Sequence, residues 1–306
     1  MRNYLQLLRP AQWIKNSFVF AALAFGNAFR AKIGDRYAVE LAFIAFVAFC
    51  LASSAGYILN DIMDRQRDRL HPLKKNRPIA SGTVSLPVAV VLMVVLLGLT
   101  FTISLTQLPP GFAVTVSAYL VLSTAYSLAL KHRMILDVVV IAMLFVLRAL
   151  GGAAAIQVEA SPWLLICTFM LCLFLGFGKR RCEIAVIGDD SEAIRGHRPI
   201  LVRYTPHLLT HLLSTSGGMA IITFLLYTLD TRPTPFEAHK QQLIYTLPLV
   251  VYGIYRYAML IELGKAIGPT DLMIKDPPFL AAIVLWVILA GLILYTPLGL
   301  WSVAGG

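Results

Sequence analysis

Charged side chains are scarce in this 306-residue sequence: only 14% of the residues are Asp, Glu, Lys or Arg, against about 25% in ordinary soluble domains. Hydrophobic residues make up 58% of the chain, and the mean hydropathy is +0.76. This composition excludes a water-soluble globular protein. Because a membrane helix takes about 20 apolar residues, the chain can form up to about nine membrane spans, with little left for a soluble domain.

Cysteine is also scarce. The four cysteines lie at positions 50, 167, 172 and 182, without a Cys-x-x-Cys pair or any other paired spacing. This pattern excludes a disulfide framework and a cysteine-based metal site, so we interpret the four as reduced packing residues. His207 and His211 are four residues apart, but the glutamate of a zincin motif is missing, so zinc is not predicted.

Long apolar segments are what the chain has in abundance, and we predict an all-α, polytopic membrane protein with about nine transmembrane helices. The segments cover residues 13–29, 38–59, 86–107, 111–130, 135–156, 162–182, 208–229, 242–263 and 278–300. Trp13, Lys15 and Asn16 interrupt the start of the first segment, and no clear small-x-small cleavage site follows it. We therefore do not expect a cleaved signal peptide.

Positive charge is unevenly distributed among the connecting loops. The formal net charge is +10, but the bases lie between apolar segments, so membrane topology explains them and nucleic acid is not an expected partner. Nineteen Lys and Arg residues fall on the side that holds the N-terminus, and five fall on the other side. Cytoplasmic loops retain positive charge, so we predict a cytoplasmic N-terminus and an external C-terminus in the plasma (inner) membrane.

Acidic and amide side chains recur at the end of the second segment. Asn60, Asp64 and Asp68 are spaced every four residues and project from one helix face, with Asp61 one turn from Asp64. Carboxylates this close repel one another, so they need a positive partner. One candidate is the set of interleaved arginines, Arg65, Arg67 and Arg69. The other is a divalent cation, and oxygen-only ligands favour Mg²⁺, which shares its shell with substrate phosphates.

The loop after this row reads Asn76-Arg77-Pro78-Ile79-Ala80-Ser81-Gly82. With the aspartate row, it makes the sequence resemble the UbiA-type intramembrane transferase superfamily over essentially the whole chain. The resemblance implies helices around a central cavity that opens to the cytoplasmic face. It also implies one transmembrane catalytic domain over residues 1–306, with cytoplasmic loops at about 61–85 and 183–207. By match, the catalytic and Mg²⁺-binding face is Asn60, Asp61, Asp64 and Asp68, and the diphosphate donors are Lys74 and Arg77.

The second aspartate motif of that superfamily is missing after the sixth segment. The sequence there reads Gly178-Lys179-Arg180-Arg181-Cys182-Glu183, and Asp189 and Asp190 follow only later. Lys179 and Glu183 can form a surface ion pair worth under about 1 kcal/mol. Alternatively, Lys179 with its neighbours Arg180 and Arg181 binds an additional phosphate, while Glu183 completes the metal shell or contacts a sugar hydroxyl.

This departure, together with Leu8-Arg9-Pro10-Ala11-Gln12-Trp13-Ile14-Lys15-Asn16, resembles the branch of the superfamily that transfers 5-phosphoribose. The resemblance implies Mg-dependent transfer from phosphoribosyl pyrophosphate to decaprenyl (polyprenyl) phosphate, with release of diphosphate, for cell-wall arabinan precursor synthesis. Further expected substrate-binding residues are Lys15, Tyr126 and Lys131. The sequence fixes neither the polyprenyl length nor the oligomeric state, and it is compatible with a homo-oligomer.

Two charged residues in the fifth segment need an explanation, because an ionised side chain at membrane depth is costly. Asp137 and Arg148 are eleven residues apart, about three helical turns, so both should point the same way. As structural residues, Asp137 would face Lys131 or Arg133 and Arg148 would form a buried pair. As substrate-binding residues they line the cavity, where Arg148 would meet an anionic lipid head. In the eighth segment, Arg256 is either a membrane anchor or a secondary ligand of the lipid phosphate.

Two other functions stay open. A prenyltransferase that moves a prenyl group from prenyl diphosphate to an aromatic acceptor would share the fold and the first motif, but it predicts the second aspartate pair. A lipid or metabolite transporter predicts inverted repeats and helices broken in mid-membrane, and the sequence shows no clear example of either.

Overall fold

The computed structural model describes residues 2–26, 28–70, 74–187, 201, 203–230, 240–263 and 276–295, and most of them are helical. The α-helices are α1 (Arg2–Leu8), α2 (Ala21–Phe25), α3 (Ala38–Met63), α4 (Arg65–Leu70), α5 (Leu86–Thr106), α6 (Pro110–Leu128), α7 (Leu136–Ala155), α8 (Pro162–Ile187), α9 (Pro206–Leu229), α10 (Leu247–Glu262) and α11 (Pro277–Tyr295). The 3₁₀-helices are Pro10–Phe20, Ala28–Arg30, Lys74–Asn76, Leu130–His132 and Gln241–Thr246. A short antiparallel hairpin joins β1 (Lys32–Ile33) to β2 (Arg36–Tyr37). The predicted all-α class is confirmed.

Eight elements in the described ranges are long and apolar enough to cross a membrane: α3, α5 to α9, α11, and α10 with the 3₁₀-helix before it. Each corresponds to one predicted apolar segment. Prolines in the first turn mark several of their starts, because the missing N–H of proline costs nothing there. At α9 the side chain of Thr205 caps the helix by accepting from the N–H of Leu208 at 3.2 Å.

The first predicted segment does not form one continuous α-helix. It folds as the 3₁₀-helix Pro10–Phe20 followed by the five-residue α2. Its polar side chains bind α3 instead of facing lipid: Trp13 Nε1 donates to Ser54 Oγ at 3.1 Å, and Asn16 Nδ2 donates to Ser53 Oγ at 3.2 Å. The count of about nine spans therefore stays a prediction, with eight candidates in the described part of the chain.

The helices pack around two main apolar cores. In the first, Phe49 of α3 makes edge-to-face contacts with Phe112 and Tyr119 of α6, with ring centroids 5.5 and 5.3 Å apart. In the second, Phe174 of α8 and Tyr257 of α10 pack with ring centroids 5.0 Å apart. Contacts between α7 and α8 join the two groups of helices. The outward faces of α5, α6 and α11 expose large apolar side chains, as expected of surfaces in contact with lipid.

Gly152 in α7 allows the closest approach between the N-terminal 3₁₀-helix and the bundle. A Cβ atom at this position would lie 1.8 Å from the backbone carbonyl oxygen of Val19. Because the contacted atom belongs to the backbone, a methyl group can be accommodated only if the 3₁₀-helix moves away. Its neighbour Gly151 is likewise covered by the ring of Phe49, at 2.4 Å from the position of a Cβ atom.

We expect Gly152→Ala to lower the melting temperature in detergent and to reduce activity, because displacing the 3₁₀-helix also displaces Lys15 and Asn16. Gly98→Ala on α5 is the matched control, since nothing lies within 4 Å of its Cβ position. Equal melting temperatures for the two variants would show that the Val19 contact does not constrain the fold.

Candidate active site

A cavity of about 730 Å³ is enclosed by the N-terminal 3₁₀-helix, α3, α4, α6, α7 and α8. Eleven of the predicted site residues line it: Lys15, Asn60, Asp64, Asp68, Lys74, Arg77, Tyr126, Lys131, Arg148, Lys179 and Glu183. Residues from chain positions as far apart as 15 and 183 thus share one wall. The cavity lies among the candidate membrane helices, whose low dielectric constant strengthens electrostatic interactions.

The cavity wall is strongly basic. Its eight Lys and Arg residues are Arg9, Lys15, Arg67, Lys74, Arg77, Lys131, Arg148 and Lys179. Its three acidic residues are Asp64, Asp68 and Glu183. Such an excess of cations among apolar helices favours a ligand that carries several negative charges.

The aspartate row begins in α3 and continues past its end. α3 ends at Met63, Asp64 occupies the turn, and the N–H of Asp68 donates to the carbonyl of Asp64 at 2.8 Å. Lys131 meets the row from the turn between α6 and α7. Its Nζ donates to Asp64 Oδ1 at 2.7 Å and to Asn60 Oδ1 at 3.1 Å.

Arg77 neutralises the other two aspartates. Its Nη1 donates to Asp68 Oδ2 at 2.7 Å and to Asp61 Oδ1 at 3.0 Å, which ties the Asn-Arg-Pro loop to the row. Arg9 Nη2 also donates to Asp61 Oδ1, at 2.5 Å. Asp61 is buried and does not line the cavity.

The interleaved arginines do not neutralise the aspartate row. Arg67 lies 3.4 Å from Nε2 of His132, and Arg69 Nε donates to the carbonyl of Ala80 at 3.0 Å. The prediction of a self-neutralised helix end is therefore wrong. The cations are Arg77, from the loop that follows the row, and Arg9 and Lys131, which the fold brings from distant parts of the sequence.

Asn60, Asp64 and Asp68 offer oxygen ligands to the same cavity, which is the donor set that Mg²⁺ prefers. Within the described ranges, no three His, Cys, Asp or Glu side chains lie close enough together to hold a metal ion. On their own these three residues do not complete a metal shell, and they would suit a cation that takes the rest of its shell from a bound diphosphate and water, as Mg²⁺ does. The predicted ligand set Asp61, Asp64, Asp68 and Glu183 stays a prediction, and Asp61 fits it least because Arg9 and Arg77 occupy its oxygen.

Arg148 lines the cavity although it is only 4% exposed. Its Nε donates to Asn16 Oδ1 at 2.8 Å, Nη1 to the carbonyl of Leu144 at 2.9 Å, and Nη2 to the Tyr119 hydroxyl at 2.9 Å. All three acceptors are neutral, so within the described residues the buried partners of Arg148 are uncharged groups and not a carboxylate. An arginine at the centre of a membrane helix costs about 2.5–3.5 kcal/mol on insertion scales, and such residues usually face a cavity and serve a function.

Asp137 points away from the cavity into a buried network. It accepts from Arg180 Nε at 2.9 Å and from the Tyr204 hydroxyl at 2.7 Å, so the expectation that it faces Lys131 or Arg133 is wrong. It does not share a cavity face with Arg148, because α7 turns the two side chains toward different neighbours. Arg180 also lies behind the cavity wall, where its Nη1 donates to Glu183 Oε2 at 2.7 Å.

Tyr204 connects this network to the turn that carries Lys131. Its hydroxyl accepts from the N–H of Ile135 at 2.7 Å. Ile135 has a φ of 68°, a conformation that a β-branched residue rarely adopts. Burial, followed by the hydrogen bond to Asp137, raises the pKa of the Tyr204 hydroxyl, which therefore stays protonated as a donor. Tyr204 thus holds the turn in a strained shape.

We expect Tyr204→Phe to destabilise the protein by about 1–3 kcal/mol, because it leaves the buried Asp137 and the Ile135 N–H without this partner. Activity should fall about tenfold as the turn with Lys131 relaxes, an order-of-magnitude figure for losing one such contact. Tyr245→Phe is the control, since Tyr245 is 66% exposed. Melting temperature and initial rate measure the two effects, and identical behaviour of the two variants would contradict them.

Arg256 lies outside the cavity. It forms a two-point ion pair with Asp276, at 3.1 and 2.9 Å, beside a shallow apolar groove on α10. Asp189 and Asp190, considered as replacements for the second aspartate motif, lie outside the described residues.

Arg9, Tyr57, Tyr119 and His132 line the cavity but were not among the predicted site residues. Arg9 belongs to the N-terminal motif that carried the resemblance, so its position in that motif could have identified it as a site residue. Arg9 also lies over the ring of Tyr57, 5.2 Å from its centroid. Tyr119 gave little signal, because one tyrosine in an apolar segment is as typical of packing as of binding.

Known proteins resemble this chain in sequence and in fold. The model of the UbiA prenyltransferase family matches residues 17–271. The chain is 31% identical to decaprenyl-phosphate phosphoribosyltransferase of Corynebacterium glutamicum, over 92% of this chain and 84% of that protein. It is 30% identical to the Mycobacterium tuberculosis protein of the same name, over 93% of this chain and 91% of that protein.

Among solved structures, a UbiA homologue from Archaeoglobus fulgidus bound to DMAPP and Mg²⁺ superposes with a TM-score of 0.72. The match covers 96% of this chain and 99% of that one, at 17% sequence identity. At this identity the likeness establishes the fold of the helical bundle.

Proposed function

Because the chain belongs to the UbiA prenyltransferase family, we propose that it transfers 5-phosphoribose from phosphoribosyl pyrophosphate to a polyprenyl phosphate and releases diphosphate. It is an integral membrane protein, and its whole length acts as one catalytic domain in this proposal. The product is a lipid-linked sugar phosphate, which suits the synthesis of a cell-wall arabinan precursor.

The observation that carries the proposal is the excess of eight basic over three acidic side chains in one cavity. Phosphoribosyl pyrophosphate and a polyprenyl phosphate together bring a diphosphate and two phosphate monoesters, more negative charge than one prenyl diphosphate brings. The relatives with about 30% identity over most of the chain are phosphoribosyltransferases by name, which supports the same substrates.

The residues at the aspartate end of the cavity would bind the diphosphate of the donor. Lys74 and Arg77 donate to its oxygens, and Lys131 lies beside Asp64 to add a further cation. Asp64 and Asp68, with Asn60, would hold Mg²⁺, which supplies charge neutralisation to the departing diphosphate. The fold neighbour bound to Mg²⁺ supports this assignment.

Cationic side chains also suit the developing reaction. As the bond from ribose C1 to the diphosphate breaks, negative charge grows on the leaving group, and fixed Lys and Arg donors stabilise it without reorganisation. The phosphate oxygen of the acceptor lipid attacks the same carbon. It needs no strong general base, because that phosphate is already ionised at neutral pH.

The positive charge pattern supports a cytoplasmic position for the aspartate end of the cavity, with a cytoplasmic N-terminus and an external C-terminus. A water-soluble donor would then enter from the cytoplasm, while the lipid acceptor enters between helices from the membrane.

The decisive experiment is incubation of the purified protein with labelled phosphoribosyl pyrophosphate and polyprenyl phosphate in detergent, followed by extraction into organic solvent. We expect label in the lipid fraction with Mg²⁺ and none with EDTA. Lipid labelling that persists in EDTA would contradict the metal assignment, and no labelling under any condition would contradict the proposed reaction.

Transfer of a prenyl group is the second candidate, favoured by the fold neighbour bound to DMAPP. A digeranylgeranylglyceryl phosphate synthase of Methanothermobacter thermautotrophicus is also 27% identical over 87% of this chain. In the same assay format, turnover of a labelled prenyl diphosphate with an aromatic acceptor, and none of phosphoribosyl pyrophosphate, would favour this candidate.

A further inference from the structure

Arg148 lies far from the aspartate end of the cavity. Its guanidinium contacts the carbonyl of Leu144, eight residues into α7, which is about 12 Å along the helix axis. It also contacts Tyr119, nine residues before the end of α6, about 14 Å from that end. The turn between these two helix ends carries Lys131, the partner of Asp64. The guanidinium is therefore separated from the aspartate row by several helical turns.

The guanidinium still has donors to offer. An arginine side chain carries five N–H groups, and three of them are used by Asn16, Leu144 and Tyr119. Within the described residues, the remaining two have no partner. No acidic residue of the wall neutralises this charge, because Asp64, Asp68 and Glu183 are paired with Lys131, Arg77 and Arg180.

The surroundings hold the guanidinium in one orientation. It lies over the rings of Tyr119 and Phe145, 4.7 and 5.1 Å from their centroids. Asn16, which accepts from its Nε, is itself fixed by donating to Cys50 Sγ and Ser53 Oγ at 3.2 Å. A planar fork that is fixed, charged and incompletely bonded is suited to a phosphate, which it can bind through two oxygens.

From this geometry we propose that Arg148, oriented by Asn16 and Tyr119, forms a second anion subsite that binds a phosphate monoester. The inference rests on the proposed function, in which both substrates carry such a group: the 5-phosphate of the donor and the phosphate of the acceptor lipid.

The kinetic test compares Arg148→Gln with Arg36→Gln, a control at an exposed arginine in β2 of the hairpin. We expect Arg148→Gln to raise the KM of one substrate at least tenfold. A rise confined to phosphoribosyl pyrophosphate identifies the 5-phosphate as the ligand, and a rise confined to polyprenyl phosphate identifies the lipid. Changes below threefold in both KM values would overturn the subsite.

A binding test separates the subsite from the reaction. Ribose 5-phosphate and a short-chain polyprenyl phosphate are added separately, and the melting temperature is measured in detergent. We expect at least one of them to stabilise the wild-type protein and the Arg36→Gln variant but not Arg148→Gln. This result without any phosphoribosyl transfer would refute the proposed function and keep the subsite, whereas equal stabilisation of all three proteins would refute the subsite.

If Arg148→Gln does not fold, Tyr119→Phe provides a second test of the subsite. It keeps the ring under the guanidinium and removes only the hydroxyl that accepts from Nη2. We expect a three- to tenfold rise in the KM of the same substrate, and an unchanged KM in a folded protein would count against the subsite.

Discussion

Asp64→Asn and Asp68→Asn are each expected to lower turnover at least about 100-fold at saturating Mg²⁺, an effect comparable to removing a key electrostatic group from an active site. Each substitution replaces a carboxylate of the cavity wall by a neutral amide of nearly the same shape. Each substitution should therefore weaken the binding of Mg²⁺ and the stabilisation of the departing diphosphate, while the packing of the helices stays unchanged.

Glu40→Gln is the matched control for these variants. Glu40 is exposed in the first turn of α3, at the opposite end of the helix from the row. Initial rates of lipid labelling and the dependence on Mg²⁺ concentration are measured for all three proteins. Near-normal turnover of either aspartate variant would remove that residue from the proposed metal site, and a loss in Glu40→Gln of equal size would indicate a general effect on the helix.

Arg77→Gln is expected to have the second large effect, because it removes a structural contact and a diphosphate donor together. Asp68 loses its ion-pair partner, while Asp61 keeps Arg9. We expect a loss of about 2–3 kcal/mol in stability, less than for a fully buried pair because Asp61 stays paired. Activity should fall about 100-fold.

Arg133→Gln, at an exposed arginine that follows His132 in the chain, controls for the loss of one positive charge. Arg77→Lys separates the two roles of Arg77, because lysine keeps the charge but presents it as one compact group. We expect Arg77→Lys to melt between the wild type and Arg77→Gln and to bind the donor more weakly than the wild type. If Arg77→Gln and Arg133→Gln had the same melting temperature and the same rate, this would contradict the role of Arg77 as a bridge between Asp61 and Asp68.

Much of the fold could be predicted from the sequence, because a membrane helix is recognisable from the hydropathy of its own residues. Eight of the predicted apolar segments correspond to candidate spans in the described ranges. Their length is set by the thickness of the bilayer, and their backbone hydrogen bonds are satisfied within each helix. The first segment differs from the predicted membrane helix. Its residues Trp13 and Asn16 form hydrogen bonds with α3, and its backbone forms a 3₁₀-helix.

The composition of the site was also visible in the sequence, but its pairing was not. The spacing of Asn60, Asp64 and Asp68 placed them on one face, as a helical period requires. The cations that neutralise the aspartates come from chain positions up to 71 residues from the row, so no local pattern could identify Arg9 or Lys131 as partners. For the same reason, the link from Asp137 to Tyr204, 67 residues away, was missed.

The sequence by itself determined that this is a helical membrane protein with an acidic row and an excess of bases on one side, because hydropathy, helical period and charge distribution are properties of the chain. Only the tertiary structure decided which charges neutralise each other, and that Arg148 faces the cavity without an acidic partner in the described residues. Ion pairing depends on distances of a few ångströms between segments distant in the chain, and only helix packing sets those distances.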